Sequence, residues 1–246
     1  MILRRMADAI RTQNWFTVII EFLLVITGVL VALQVDTWNN ERQNRVEERR
    51  LASQLLSELT TTIETKNAWI EEIDTQRKAL EGAIFVVQDT DPNAHMSDEQ
   101  CTAAWASHII VFTTSQLATL DEILSTGGVR TLKDKNLRDT LLAFSDTRKR
   151  AAANLALIRI DFANLIDNYP DAFPRTLTRT SPDTSNNSNL SISSEVVCDL
   201  SLIRATPAIR NKLISNLGRT TGAIDTAREE VVAMENLKIR LSETSQ

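Results

Sequence analysis

Residues 51–87 read LASQLLSELTTTIETKNAWIEEIDTQRKALEGAIFVV, and apolar side chains recur here at alternating steps of four and three residues. Such steps place side chains on one stripe of an α-helix, which forms the seam of a coiled coil or a bundle helix. We therefore predict a long helix that must bury this stripe against other helices. Nine of these eleven positions are apolar: Ala52, Leu56, Leu59, Ile63, Lys66, Ile70, Ile73, Arg77, Leu80, Ile84 and Val87.

Upstream lies an almost wholly apolar stretch, residues 16–35, FTVIIEFLLVITGVLVALQV. Twenty helical residues extend about 30 Å, the thickness of the hydrocarbon core of a bilayer. Trp15 and Trp38 flank the stretch and are predicted to anchor it at the two interfaces. A secretory signal peptide is the alternative, but the following LQVDTWNNER has no small-x-small cleavage site. We therefore predict a transmembrane helix over 15–38, and no Pro or Gly between Gly28 and Gly82 stops it from continuing into the stalk.

The orientation of this helix is predicted from its short N-terminal tail and from the cysteines. Arginines are nearly balanced across the span, with three before it and four soon after it. The tail, residues 1–14, is short and basic, and both cysteines, Cys101 and Cys198, lie beyond the span. An even number of cysteines suits an oxidising periplasm and a disulfide between them, although two separate buried thiols are the alternative. We expect residues 1–14 in the cytoplasm and 39–246 in the periplasm of a bacterial inner-membrane protein.

Glu21 is the unusual residue of the span, because an acid in hydrocarbon costs a few kcal/mol unless it is paired, protonated or near an interface. Helix geometry places it on one face with Gly28 and Ala32, a small-xxx-small pair that permits close helix approach, and Thr27 at the edge of that face could donate a hydrogen bond. We predict an intramembrane interface formed by Glu21, Thr27, Gly28 and Ala32. The alternatives are that Glu21 reaches the cytoplasmic interface or Arg11, or that it conducts protons.

Residues 21–42, EFLLVITGVLVALQVDTWNNER, resemble the start of a family of uncharacterised bacterial single-pass membrane proteins. A second stretch, residues 120–144, resembles a later block of that family around a Gly turn and a charged helix start. The resemblance covers under a fifth of the chain and implies a domain of unknown function, so it supports the architecture and implies no reaction. The matching positions are Glu21, Gly28, Ala32, Leu33, Gln34, Trp38, Asn39 and Arg42.

Four further helices are predicted downstream, together with a long loop. A capping box of Ser97 and Gln100 begins a helix near 98–112, and Thr113 caps another near 114–125, which Gly127 and Gly128 end. Longer helices are predicted over 133–168 and from Pro207 to about 241, and a flexible or binding loop over 170–196. The fold class is therefore all-α: a transmembrane helix that continues into an elongated antiparallel helical bundle. A disulfide would make the last helix run back along the stalk.

Composition and motifs argue against several classes of function. With 6 Gly and 5 Pro in 246 residues, the chain lacks the turns of a β-sandwich, and a net charge of −5 opposes nucleic-acid binding. No phosphate loop, HExxH, CxxC or nucleophile elbow occurs, so we predict no enzyme, no metal site and no cofactor. His95 and His108 are the only histidines and are interpreted as ordinary side chains.

Three functions remain open at this stage. The first is a membrane scaffold or accessory subunit that makes protein–protein contacts, as a homo-oligomer or within a larger complex in the lipid bilayer. The second is a periplasmic ligand-binding or sensor module that acts through a partner, for which a pocket in the bundle would be required. The third is a proton-coupled motor-type subunit in which Glu21 carries the proton.

Overall fold

A computed structural model describes residues 15–111, 115–130, 132, 134–160, 162–180 and 191–244. The chain divides into two compact units, residues 1–53 and 54–246. The fold is all-α, as predicted, with two short strands. The second unit begins at Gln54, so residues 39–53, which we expected to belong with the bundle, group with the first unit instead.

The first helix, α1, extends from Trp15 to Gln88 and includes both the apolar stretch and the heptad stretch. It ends before a turn at Pro92 and Asn93. The remaining elements all lie in the second unit. They are α2 (Asp98–Trp105), α3 (Ala118–Ser125), a 3₁₀ turn (Gly128–Arg130), α4 (Lys135–Ile160), α5 (Leu165–Asn168), β1 (Arg175–Thr180), β2 (Ser191–Val196), α6 (Leu200–Ala205) and α7 (Pro207–Thr244).

The last helix, α7, runs antiparallel to the part of α1 that belongs to the second unit. Near the end of α1 the Nη2 atom of Arg204, just before α7, donates to the carbonyl oxygen of Val86 at 2.9 Å. Farther back along α1, the Nζ atom of Lys66 lies 2.6 Å from the Oε2 atom of Glu230. Residue numbers therefore rise along α1 where they fall along α7, so the two helices are antiparallel. This is the direction predicted if the two cysteines are bonded.

The helix α4 also runs antiparallel to α7, and it therefore runs in the same direction as α1. Ile158 of α4 lies beside Gly222 of α7, and Phe144 lies beside Asn236. The predicted 133–168 helix therefore does not return along α1. The chain returns instead through residues of which 106–111 and 115–117 are described and non-helical, and the carbonyl oxygen of Val111 accepts a 2.7 Å hydrogen bond from Trp69 of α1.

The predicted 133–168 helix is interrupted after Ile160, and α5 begins only at Leu165. Asn164 caps α5 by accepting a hydrogen bond from the backbone N–H of Asp167. The amide of Asn216 accepts from the N–H of Ala163 and donates to its carbonyl, both at 3.0 Å. These bonds replace the backbone bonds that a continuous helix would make, and a repeat of apolar residues does not reveal such a replacement.

The predicted loop 170–196 contains an antiparallel hairpin, in which Arg175 pairs with Val196 and Thr180 with Ser191. Residues 181–190 lie outside the described residues, so the flexible-loop prediction is wrong for the two strands and untested between them. Its base is anchored in the core, because Phe173 is 1% exposed. Three Thr residues in β1, and Ile192 and Val196 in β2, favour extended backbone, a signal that the abundance of Ser and Asn in this region concealed.

The short helices differ from prediction mainly at their ends. The Ser97–Gln100 capping box is present, but α2 ends at Trp105 rather than near residue 112. The predicted cap Thr113 lies outside the described residues, and α3 begins at Ala118. Gly127 has a φ of 74°, as expected for a glycine that ends a helix.

The start of α7 at Pro207 is confirmed, whereas α6 just before it was not predicted. The carboxylate of Asp199 caps α6 by accepting from the N–H groups of Ser201 and Leu202, both at 3.0 Å. A core at the Gln88 end of the second unit unites α1, α2, α5, α6 and α7 with the hairpin base. It comprises Leu80, Ala83, Ile84, Val87, Ala104, Leu165, Ile166, Ala172, Phe173, Ile203, Ile209 and Leu213.

Candidate functional site

The apolar stretch of α1 exposes its side chains in every direction around the helix. Among the described residues, this is the one helix that is long and apolar enough to cross a membrane, and none of its apolar window is buried. Leu24 and Val25, for example, are 66% and 65% exposed. Because each buried CH₂ group contributes about 0.8 kcal/mol, such a surface in water would be strongly unfavourable. A bilayer or another apolar partner is the environment that this surface fits.

The residues predicted for the intramembrane interface all belong to this stretch. Glu21 is exposed, and a Cβ atom added at Gly28 would meet nothing within 4 Å, so the chain leaves this face open. Ala32 lies one turn after Gly28 on the same face. The Thr27 hydroxyl donates to the carbonyl oxygen of Leu23 at 2.7 Å, so its donor is already used within the helix.

Beyond the apolar stretch, the charged segment of α1 pairs its charges along its own axis. Arg45 lies 3.4 Å from Glu41, and Arg50 lies 2.5 Å from Glu47. The hydrogen bond from Arg50 lowers the pKa of Glu47 below its usual value. This arrangement is typical of a solvated helix face. Trp38 is 63% exposed just before this segment, and the Trp15 side chain lies outside the described ones.

Cys101 of α2 and Cys198, which follows the hairpin, form a disulfide with a Cα–Cα distance of 5.8 Å. This distance is within the range that a bridge requires. The bond closes a loop of 97 residues and attaches the hairpin to α2. An open cavity of about 840 Å³ lies beside it, lined in part by His95, Trp105 and Arg204.

Arg204 has a structural role at this end of the bundle. Its guanidinium donates to the carbonyl oxygens of Val86 and Asp91, at 2.9 and 3.3 Å. Val86 lies in the last turn of α1, where carbonyl groups have no partner within the helix. Arg204 therefore caps α1 and attaches α6 to it. The sequence contains no pattern from which this contact could have been predicted.

The two polar positions of the predicted α1 seam have different explanations. Lys66 is 3% exposed and pairs with Glu230, which is also 3% exposed. Arg77 is 22% exposed and pairs with Asp74 and Glu81 of its own helix. The apolar repeat of α1 identified Lys66 as a polar exception in the seam. It did not identify Glu230 as the partner of Lys66, because the two residues are 164 positions apart in the sequence.

The histidines show no sign of metal binding. Within the described ranges, no group of three or more His, Cys, Asp or Glu side chains is placed to hold a metal ion. The Nδ1 atom of His108 lies 3.1 Å from the carbonyl oxygen of Trp105, and burial lowers the pKa of this imidazole. Asp134 accepts from the N–H groups of Asn136 and Leu137 and so caps α4.

These sites were compared with known proteins. No protein-family model, curated protein or solved structure matches the chain. The resemblance of residues 21–42 to a family of single-pass membrane proteins therefore stays a prediction.

Proposed function

We propose that this protein is a membrane-anchored helical interaction protein of the bacterial inner membrane. It acts as a homo-oligomeric scaffold or as an accessory subunit of a membrane complex. The observation that carries the proposal is Glu21, an exposed carboxylate within an otherwise apolar helix surface. Among the described residues it makes no hydrogen bond or ion pair. Because an uncompensated carboxylate in hydrocarbon costs a few kcal/mol, a neighbouring helix that hydrogen-bonds to it would stabilise the assembly.

The small residues beside Glu21 support the same proposal. Gly28 and Ala32 follow it at steps of seven and four, so the three residues share a face. Helices in membranes associate through such faces because small residues let the backbones approach closely. The other two open functions have less support. The described grooves of the second unit do not include the apolar stretch of α1, and a single carboxylate does not define a proton path.

The proposed orientation places residues 1–14 in the cytoplasm and the disulfide-containing unit in the periplasm. The Cys101–Cys198 bond supports it, since such bonds persist in oxidising compartments and are rare in the cytosol. Alkaline phosphatase fused after residue 246 should be active in cells, because that enzyme requires periplasmic oxidation. An inactive but stable fusion would contradict this orientation.

Purification of the full chain from bacterial membranes in mild detergent tests the proposed function. We expect a second copy or a distinct membrane protein to co-purify with the wild-type chain. Glu21→Gln and Gly28→Leu should each reduce this recovery at least fivefold. The matched control is Leu30→Phe, which adds bulk on the opposite side of the same helix, about 180° from Glu21, and should leave recovery unchanged.

Each result of this purification has a defined meaning. Recovery of the chain with itself alone would support the scaffold and count against the accessory subunit. A monomer with no co-purifying protein would contradict both. Recovery unchanged by Glu21→Gln would exclude the Glu21 face as the interface, and an unchanged phenotype of the same variant would also exclude proton transfer through Glu21.

A further inference from the structure

We propose that an open groove between α1 and α2 binds a small molecule that has an apolar body and a protonated amine. We call it the α1–α2 groove. Residues 75–80 of α1, the helix α2 and the segment 106–110 surround it, and Thr220 closes one side. Its volume is about 480 Å³, within the range of sites that hold small ligands. This binding would be additional to the membrane interaction proposed above.

The groove offers apolar surface to a ligand because the apolar side chains that line it are small or lie at the edge of the groove. Ala79 of α1, Ala103 of α2 and Ala106 all line the groove. Leu80 is 2% exposed and forms part of the floor, whereas Ile109 is 51% exposed and forms a wall. A ligand here would cover apolar surface that the chain itself leaves in water, which favours binding.

Charges at the groove favour a cation over an anion. Arg77 lines the groove, but its guanidinium is already 2.8 Å from Asp74 and 3.1 Å from Glu81. Asp98 and Glu99 also line the groove, and neither has an ion-pair partner among the described residues. Both acids suit the first turn of α2, where carboxylates are favoured, but their charge also faces any ligand in the groove.

Three of the four hydroxyl groups that line the groove already take part in hydrogen bonds, and Thr102 carries the fourth. Ser107 accepts a hydrogen bond from the Nδ2 atom of Asn216, and Thr220 donates to the carbonyl oxygen of the same residue. Thr75 donates to the carbonyl oxygen of Glu71. Recognition would therefore rest on apolar contact, with the two unpaired carboxylates selecting the charge of the ligand.

Three naphthalene probes of the same size test the proposal on the full chain in lipid nanodiscs at pH 7. They are 1-naphthylmethylamine, 1-naphthylmethanol and 1-naphthoate, which are cationic, neutral and anionic. Binding is measured by probe fluorescence, with empty nanodiscs subtracted. We expect the amine to bind most tightly, with the carboxylate at least tenfold weaker.

Variants of residues that line the groove test whether the probes bind there. Ala103→Phe fills it and should abolish binding of all three probes, and Ile109→Asn, at an exposed wall, should weaken all three without affecting the core. Glu99→Gln should weaken the amine about two- to fivefold and leave the alcohol unchanged, as expected for loss of one exposed charge. The matched control is Glu235→Gln, which removes an exposed acid of α7 outside the groove and should change nothing.

Several outcomes would overturn the proposal. The first is a binding signal no greater than that with empty nanodiscs. The second is binding that survives both Ala103→Phe and Ile109→Asn, and the third is a carboxylate probe that binds as well as the amine. Loss of amine binding as the protein concentration is raised would indicate that a second copy occupies the groove, and would also reject the small-molecule ligand.

Discussion

The Lys66 ammonium and the Glu230 carboxylate are the most deeply buried charges that the structure pairs. Their distance of 2.6 Å and their 3% exposure mean that each ion has lost most of its hydration. The mutual attraction of such a pair roughly offsets the cost of desolvation, so the pair adds little net stability. Removing one partner is expensive, however, because the other charge stays buried. The pair also sets the alignment of α1 with α7.

Lys66→Met should lower the free energy of unfolding by about 3–5 kcal/mol, because it leaves the Glu230 carboxylate buried without its ion-pair partner. The double variant with Glu230→Leu should recover most of this loss. Denaturant unfolding of the full chain in detergent measures both. Arg77→Met, at a partly exposed ion pair, is the control and should cost about 1 kcal/mol or less. A double variant no more stable than Lys66→Met would contradict this account.

Asp74 predicts a pH dependence at the residue scale. Hydrogen bonds from Lys78 and Arg77 lower its pKa from 3.8 to about 2. Because the pKa is lower in the folded chain, the stabilisation is fully present above about pH 4 and is lost as the pH falls towards 2. The difference in unfolding free energy between wild type and Asp74→Asn should therefore shrink over that interval. A difference that stays constant from pH 6 to pH 2 would contradict the assignment.

At the scale of elements, the disulfide attaches a hairpin that could not stand alone. An isolated two-stranded hairpin is at best marginally stable in water. Here β2 leads directly to Cys198, and the carbonyl of Val196 lies 3.8 Å from the Sγ atom of Cys101. The bond therefore connects the hairpin, α2 and the start of α6 at one end of the second unit.

The double variant Cys101→Ser and Cys198→Ser should lose about 2–5 kcal/mol of stability, as expected for a bond that closes a long loop. Thermal unfolding with and without reductant measures this loss. Reductant should lower the melting temperature of the wild type to near that of the double variant and should leave the variant itself unchanged. A wild-type melting temperature insensitive to complete reduction would contradict the role of the bond.

At the scale of elements, Asn216 also determines where α4 ends. It is fully buried, and its amide bonds both the N–H and the carbonyl of Ala163 as well as Ser107. Asn216→Leu should cost about 2–4 kcal/mol, since it leaves buried polar groups of Ala163 and Ser107 without their bonds. Thr221→Leu, one turn away on the exposed side of α7, is the control and should cost under about 0.5 kcal/mol. Equal losses in the two variants would contradict the role of Asn216.

For the whole molecule, the exposed apolar stretch of α1 predicts membrane insertion. Leu24→Arg combined with Leu30→Arg places two charges in the span, each of which costs about 2.5–3.5 kcal/mol of insertion free energy near the centre. Alkaline extraction of membranes should release this variant and retain the wild type. The control, Gln43→Arg with Val46→Arg, adds the same charge beyond the span and should be retained. Retention of both variants would contradict insertion through this stretch.

Much of the architecture follows from local sequence patterns, and the structure bears this out where the pattern is long. The heptad repeat correctly predicts the buried face of α1 in the second unit. Pro207 and the Ser97–Gln100 box predict helix starts, because caps depend on residues a few positions apart. The candidate face of Glu21 also follows from spacing alone.

The sequence by itself determined the helical class, the apolar span and the starts of two helices, because helical periodicity and capping are local properties of the chain. Only the tertiary structure decided that α4 runs parallel to α1, that Lys66 meets Glu230, and that Asn216 and Arg204 complete helix ends. These contacts join residues 53 to 164 positions apart, and many helix pairings bury equivalent apolar stripes. The partners of buried polar groups select one pairing, and their positions are not encoded in any local repeat.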